Sequence, residues 1–255
     1  MAYSDRGNSR KGKNDPTGAM DDYNTAVSIS AGLFIAYFNR GILRQEQGDI
    51  TGSIQDFSTV VRLNPKYAEA HALRAHSYFL KKDYASSAAN YSAAIELDPK
   101  DAGYYLRRGY SYRERKLYDE AIADFRKALE LNPSDATPLY NLAVVYSAKK
   151  GHDLTIDTYT KIISLEAPTA QSHFFRGIAY EAKQDEERSL KDYTSAVGLD
   201  GRYSQAYARR GALHFKRGSM ADAIRDLEKA IQLDPALKKD YDPLLIRARE
   251  KRAGP

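Results

Sequence analysis

The chain contains no cysteine. That removes disulfide scaffolds, thiolate zinc sites, cysteine nucleophiles and iron–sulfur ligation. Long apolar runs are also missing. The longest, Ala31-Gly32-Leu33-Phe34-Ile35-Ala36-Tyr37-Phe38, is far below the roughly 18 residues a membrane-spanning helix needs. The opening residues Met1 to Gly7 carry neither a basic segment nor an apolar core, so no secretory leader is read there and a cytoplasmic location is the expectation. Neither sign of charge dominates. The 39 basic and 34 acidic residues alternate and leave a net charge of +5. Such a diffuse excess is compatible with an acidic partner and too scattered to specify nucleic acid. There is no Gly-x-Ser-x-Gly elbow, no phosphate-cradling glycine loop and no His-Glu-x-x-His, and no two of the five histidines stand at i, i+4. Catalysis, a metal site and a cofactor are therefore not expected.

What is present is self-similarity, which decides the fold before any local reading does. Leu63-Asn64-Pro65, Leu97-Asp98-Pro99, Leu131-Asn132-Pro133, Leu199-Asp200-Gly201 and Leu233-Asp234-Pro235 share one 34-residue register, with Leu165-Glu166-Ala167 filling the gap and its proline displaced to Pro168. Counting position 1 from Phe34, the units are 1–33, 34–67, 68–101, 102–135, 136–169, 170–203 and 204–237, followed by a tail, 238–255. Position 8 is small throughout: Gly7, Gly41, Ala75, Gly109, Ala143, Gly177 and Gly211. Position 24 is large: Tyr23, Phe57, Tyr91, Phe125, Tyr159, Tyr193 and Leu227. Small residues let helix axes approach, and large ones fill the space between them.

Within unit 102–135, Leu106, Gly109, Tyr110 and Arg113 follow i, i+3, i+4, i+7, and Ile122, Phe125 and Leu129 mark a second helix. The proline at position 32 cannot continue that helix. Each helix pair leaves an apolar face that only its neighbour covers, so the predicted class is all-α, a solenoid of helix-turn-helix units. The tail, through Leu244-Leu245-Ile246-Arg247, reads as a closing helix. The first segment, Ser9 to Asn14, is nearly devoid of apolar residues and reads as a frayed cap. The junction Leu33-Phe34-Ile35 reads either as local packing or as a sticky patch for a second copy.

With Tyr105, Arg108-Gly109, Tyr112, Ala121, Phe125, Ala128 and Pro133 in their places, the pattern resembles the tetratricopeptide repeat family over residues 2 to 237. The resemblance implies a right-handed α-α superhelix with a C-terminal capping helix. One position departs from it. The family's leucine at position 7 is arginine in six units: Arg6, Arg40, Arg74, Arg108, Arg176 and Arg210. A charge at a packing position needs a partner, and position 23 offers Asp22, Asp56, Asn90, Asp124, Asp192 and Asp226. In unit 136–169 both charges vanish together, to Leu142 and Thr158, which predicts pairing inside each unit.

The resemblance further implies a non-catalytic adaptor that binds a peptide or helix of a partner protein on its first helices, at positions 2, 5, 9, 12 and 13. Carried over, these give Phe38, Ile42, His76, Phe79, Leu106, Tyr110 and Arg113, then Tyr140, Val144, Phe174, Ile178 and Phe215. Inter-helix packing is the alternative role for the same aromatics. A carboxylate clamp of the co-chaperone kind is incomplete here, since position 5 holds no lysine although Arg107 and Arg209 occupy position 6. Three other readings stay open. They are self-association through Leu33, Phe34 and Ile35, a regulatory part of a larger enzyme, and nucleic-acid binding around Arg107, Arg113, Arg115 and Lys116, which is not the expectation.

Overall fold

The computed structural model describes residues 1–254 and, among them, is helical throughout, with no strand. Its helices are α1 (Ala2–Gly12), α2 (Pro16–Ile29), α3 (Phe34–Glu46), α4 (Ile50–Leu63), α5 (Ala68–Leu80), α6 (Tyr84–Leu97), α7 (Ala102–Glu114) and α8 (Tyr118–Leu131). They continue as α9 (Thr137–Ala148), α10 (His152–Leu165), α11 (Ala170–Ala182), α12 (Glu186–Leu199), α13 (Ser204–Lys216), α14 (Met220–Leu233) and, after a 3-10 turn, α15 (Lys238–Ala253). Second helices begin at 50, 84, 118, 152, 186 and 220, so the period of the sequence is also the period of the backbone. The chain forms two compact units, residues 1–138 and 139–255.

Every turn between the helices of a pair is built alike. Residue 15 of the repeat adopts a left-handed backbone: Asn14, Gly48, Lys82, Lys116, Lys150, Gln184 and Gly218 all have φ between 57° and 82°. The next amide then donates back to the carbonyl five residues earlier, as in Asp49 N to Arg44 O (2.8 Å) and Asp83 N to Tyr78 O (2.9 Å). This satisfies a carbonyl left open by the helix end. Where that next residue is aspartate, its carboxylate accepts from the third amide of the following helix, as Asp49 does from Gly52 and Asp185 from Arg188. Three of these left-handed positions are lysine, where a side chain costs roughly 1–2 kcal/mol and glycine's greater freedom when unfolded offsets part of that. Lys116→Gly is expected to stabilise the fold by about 1 kcal/mol. A lower thermal midpoint for that variant contradicts this account of the turn.

Packing inside a pair follows the small-to-large rule. A Cβ built on Gly109 would stand 2.6 Å from the Phe125 ring, and one on Gly41 would stand 2.8 Å from Phe57. Between pairs, Phe57 and Val60 pack with Ala70 of the next pair, and Tyr104 of α7 packs against the cluster that holds Tyr91 and Ala94. In the second unit, Phe174, Tyr193 and Ala196 join Ala206 and Leu213. Hydroxyls link pairs as well: Ser53 to Ser77 at 2.9 Å and Ser87 to Ser111 at 2.8 Å.

Burial pushes the hydroxyls of Tyr91 in the first unit and Tyr159 in the second up to about 12. An unfolded tyrosine titrates near 10. Above pH ~10 the unfolded chain loses protons that the fold retains, so stability present below that pH falls as pH rises toward ~12, by about 1.4 kcal/mol per unit for each tyrosine. Circular dichroism should show alkaline unfolding in this window. A helical signal unchanged to pH ~12 contradicts it.

The arginines at position 7 pair within their own repeats. Arg6, Arg40, Arg108, Arg176 and Arg210 each hold the aspartate 16 residues on through two hydrogen bonds of 2.5–2.9 Å. Four also reach the second helix of the preceding repeat, where Arg40 meets Asn24, Arg74 Ser58, Arg108 Ser92 and Arg176 Thr160. Hydrogen bonding to Asp124 holds Arg108 above its ordinary value. Arg74, which faces Asn90 rather than a carboxylate, is pushed below it by burial.

One expectation is corrected here. The first segment is helical, because Arg6–Asp22, Arg10–Asp22 and Lys11–Glu46 ion pairs dock the polar α1 where apolar contacts are few. The junction residues Phe34 and Ile35 pack against the Phe38–Phe57 cluster, with the Phe34 ring edge-on to Tyr67 at 5.9 Å. The local-packing reading of that junction therefore accounts for both side chains.

Candidate functional site

Each unit has a cleft on the face made by the first helices of its pairs. In the first unit a cleft of about 510 Å³ is lined by Glu69, Ala72, Leu73 and His76 of α5, Tyr91 of α6, and Asp101, Gly103, Tyr104 and Arg107 around the start of α7. Its chemistry is polar. Burial, then the charge of Arg107, holds His76 below its ordinary value, so the ring is neutral at pH 7. Arg107 is exposed and forms no ion pair among the described residues, and its positive charge partly opposes the upward push that burial gives the Tyr91 hydroxyl.

In the second unit a cleft of about 430 Å³ lies among α9, α10 and α11. Tyr140, Val144 and Ser147 form one wall, and Gln171, Phe175, Ile178, Ala179 and Ala182 form the other, with His152, Thr155 and Tyr159 beneath. Tyr159 is buried, and its ring stacks on Phe175 at 5.9 Å. Burial and the hydrogen bond donated to Glu166 (2.8 Å) push the Tyr140 hydroxyl up to about 12. Val144 is 50% exposed and Phe175 36%, although both are large and apolar.

Of the twelve residues singled out in the sequence, Tyr140, Val144 and Ile178 meet in the second cleft, and His76 lines the first. Ile42, Phe79, Leu106, Tyr110 and Arg113 are half-buried on first helices outside both clefts. The Arg113 guanidinium lies over the Tyr110 ring at 5.4 Å, that ring leans on Phe125, and Phe79 meets Tyr84 edge-on. Phe38 and Phe174 are only 6% and 4% exposed and belong to the core. The reason is position 34: Tyr67 and Tyr203 fold back over them, with ring centroids at 5.0 and 4.8 Å. Tyr140, whose repeat carries Thr169 there, keeps an open ring. Phe215 is covered by the closing helix, under Arg247 and Lys251 at 5.4 and 4.9 Å.

The cleft residues that pattern reasoning left off the peptide-binding face are Phe175 at position 6, Tyr91 and Tyr159 at position 24, and Arg107, which entered it only in the incomplete clamp and the nucleic-acid reading. Position 24 was assigned wholly to the core, whereas its tyrosines also floor the clefts. Among the described residues no group of three or more histidine, aspartate or glutamate side chains could hold a metal ion, and no helix is long and apolar enough to cross a membrane.

Comparison with known proteins gives a consistent picture. Family models described as tetratricopeptide repeats match residues 38–102 and 204–237, and one described as TPR repeat matches 109–150. No curated protein matches the sequence. Among solved structures, the C-terminal part of a TPR repeat-containing protein from Cytophaga hutchinsonii is 16% identical with a TM-score of 0.81, covering 93% of this chain and 97% of that one. A tetratricopeptide repeat protein from Parabacteroides merdae is 17% identical with a TM-score of 0.65, covering 97% and 98%. YrrB, described as a TPR protein with an unusual peptide-binding site, is 21% identical with a TM-score of 0.60, covering 70% and 92%. At these identities the likeness is one of fold.

Proposed function

Because the chain belongs to the tetratricopeptide repeat family, a scaffold typical of protein–protein interaction, we propose that it is a non-catalytic adaptor whose first-helix face binds a peptide or helix of a partner protein. The observation that carries this reading is the open apolar surface of the second-unit cleft, where Val144 and Phe175 leave large side chains uncovered. Apolar surface of this kind, concave and edged by a few polar groups, is what an anchor side chain of a partner seeks. The polar first cleft, with Arg107 lacking a carboxylate partner among the described residues, suits a hydrogen-bonding or acidic stretch. YrrB, of like fold, lends support by analogy.

The test is affinity capture from the native host with three exposed first-helix residues changed together, Leu80→Glu, Arg107→Glu and Phe175→Glu. A retained polypeptide should be lost from this variant and kept by Leu199→Glu, which alters an equally exposed residue at the end of α12. Equal retention by both variants overturns the reading.

A further inference from the structure

The floor of the second-unit cleft holds an unused hydrogen-bond donor. Tyr159 lines the cleft, is only 5% exposed, and its hydroxyl has no hydrogen-bond partner among the described residues. The hydroxyls beside it are committed. Tyr140 donates to Glu166 at 2.8 Å, and Thr155 donates to the carbonyl of Gly151 at 3.0 Å. Burial keeps the Tyr159 hydroxyl protonated far above neutral pH, so it acts as a donor. A hydrocarbon occupant, such as a leucine or phenylalanine side chain, leaves that donor stranded, whereas one that brings an oxygen to the floor satisfies it.

Size and charge narrow the occupant further. An enclosed apolar cavity of roughly 150 Å³ accommodates benzene, and this cleft measures about 430 Å³. The rings of Tyr140, Tyr159 and Phe175 line it, with Tyr159 and Phe175 within 16° of parallel, so a flat ring meets aromatic surface. The lining includes no lysine, arginine, aspartate or glutamate, and its one imidazole is that of His152. Outside the lining, Lys150 and Lys183 stand against Asp153 and Glu166, and these charges cancel. An ion entering the cleft sheds hydration and meets no counter-charge.

From this we infer that the cleft is a small-molecule site for an uncharged aromatic compound bearing a carbonyl or ether oxygen, whose oxygen accepts from Tyr159 while its ring lies against Phe175 and Ile178. The inference goes beyond the adaptor reading, which needs the exposed rim and not the floor.

The test is ligand-observed saturation-transfer NMR on the full chain with three probes of similar size: acetophenone, ethylbenzene, which lacks the oxygen, and benzoate, which carries a charge. Acetophenone should bind with a Kd of about 1 mM or tighter. Ethylbenzene should bind about fivefold more weakly and benzoate about tenfold more weakly or worse. Tyr159→Phe keeps the ring and should bind acetophenone and ethylbenzene alike, with a circular dichroism melt matching the parent chain. If that variant melts early, Val144→Glu, which sets a charge on an exposed wall residue, should weaken acetophenone about tenfold. Absence of acetophenone binding, equal binding of benzoate, a preference for acetophenone that survives in Tyr159→Phe, or binding indifferent to Val144→Glu overturns the inference. If it falls while the Leu80, Arg107 and Phe175 triple variant still loses a captured partner, the small-molecule site is wrong and the adaptor reading stands.

Discussion

Arg108→Leu is expected to destabilise the protein by about 2–4 kcal/mol, because it strands the carboxylate of Asp124 in a partly buried site. The guanidinium donates to Asp124 Oδ2 at 2.8 Å and Oδ1 at 2.7 Å, donates to Ser92 at 2.9 Å, and lies 5.7 Å from the Tyr105 and Tyr112 rings. One side chain thus ties α7 to α8 of its own pair and to α6 of the pair before. Asp124→Thr alone should cost a similar amount, by leaving the guanidinium short of its counter-charge. The double variant Arg108→Leu with Asp124→Thr reproduces what the chain itself carries at Leu142 and Thr158, both buried. It should recover much of either loss, giving a coupling well above the error of a double-mutant cycle. Strictly additive losses in chemical denaturation refute the pairing as an energetic unit.

Phe174→Ala is expected to cost about 3–5 kcal/mol, the same range as Phe125→Ala, since both rings fill closed space and truncation leaves a cavity. Val144→Ala removes a half-exposed side chain, leaves no enclosed cavity and should stay within about 0.5 kcal/mol. Thermal melts of Phe174→Ala and Val144→Ala separate core from surface on the first helices, with Phe125→Ala on α8 as the core reference. A Phe174→Ala protein that melts like the parent chain contradicts the placement of that ring beneath Tyr203.

The helix pairs were legible because a 34-residue period with a fixed small residue at position 8 and a large one at position 24 leaves few ways to pack. The Arg–Asp pairing was legible for a different reason. One repeat loses both charges together, which only a partnership inside the repeat explains. The cleft was legible in part. Adjacent side chains on a helix differ in direction by about 100°, so Phe174 and Phe175 face different surroundings, and position alone does not say which is covered. The covering group comes from residue 34 of the same repeat, folded back from the turn. A tyrosine there, as at Tyr67 and Tyr203, closes over position 5, and its absence at Thr169 leaves the cleft beside Tyr140 open. That signal is present in the sequence but speaks only once the turn geometry is known. The Arg6–Asp22 pair that docks α1 was legible with the other Arg–Asp pairs, whereas Arg10–Asp22 and Lys11–Glu46 fall outside that repeated pattern and were not.

The claim that the first-helix face is the binding surface is tested most directly by photo-crosslinking from two matched positions. Val144 is 50% exposed in the second-unit cleft, and Leu199 is 52% exposed at the end of α12, outside both clefts. With p-benzoylphenylalanine placed at one position or the other and irradiated in host extract, residue 144 should give a discrete crosslinked polypeptide and residue 199 should not. Equal crosslinking from both, or a product from residue 199 alone, contradicts the account.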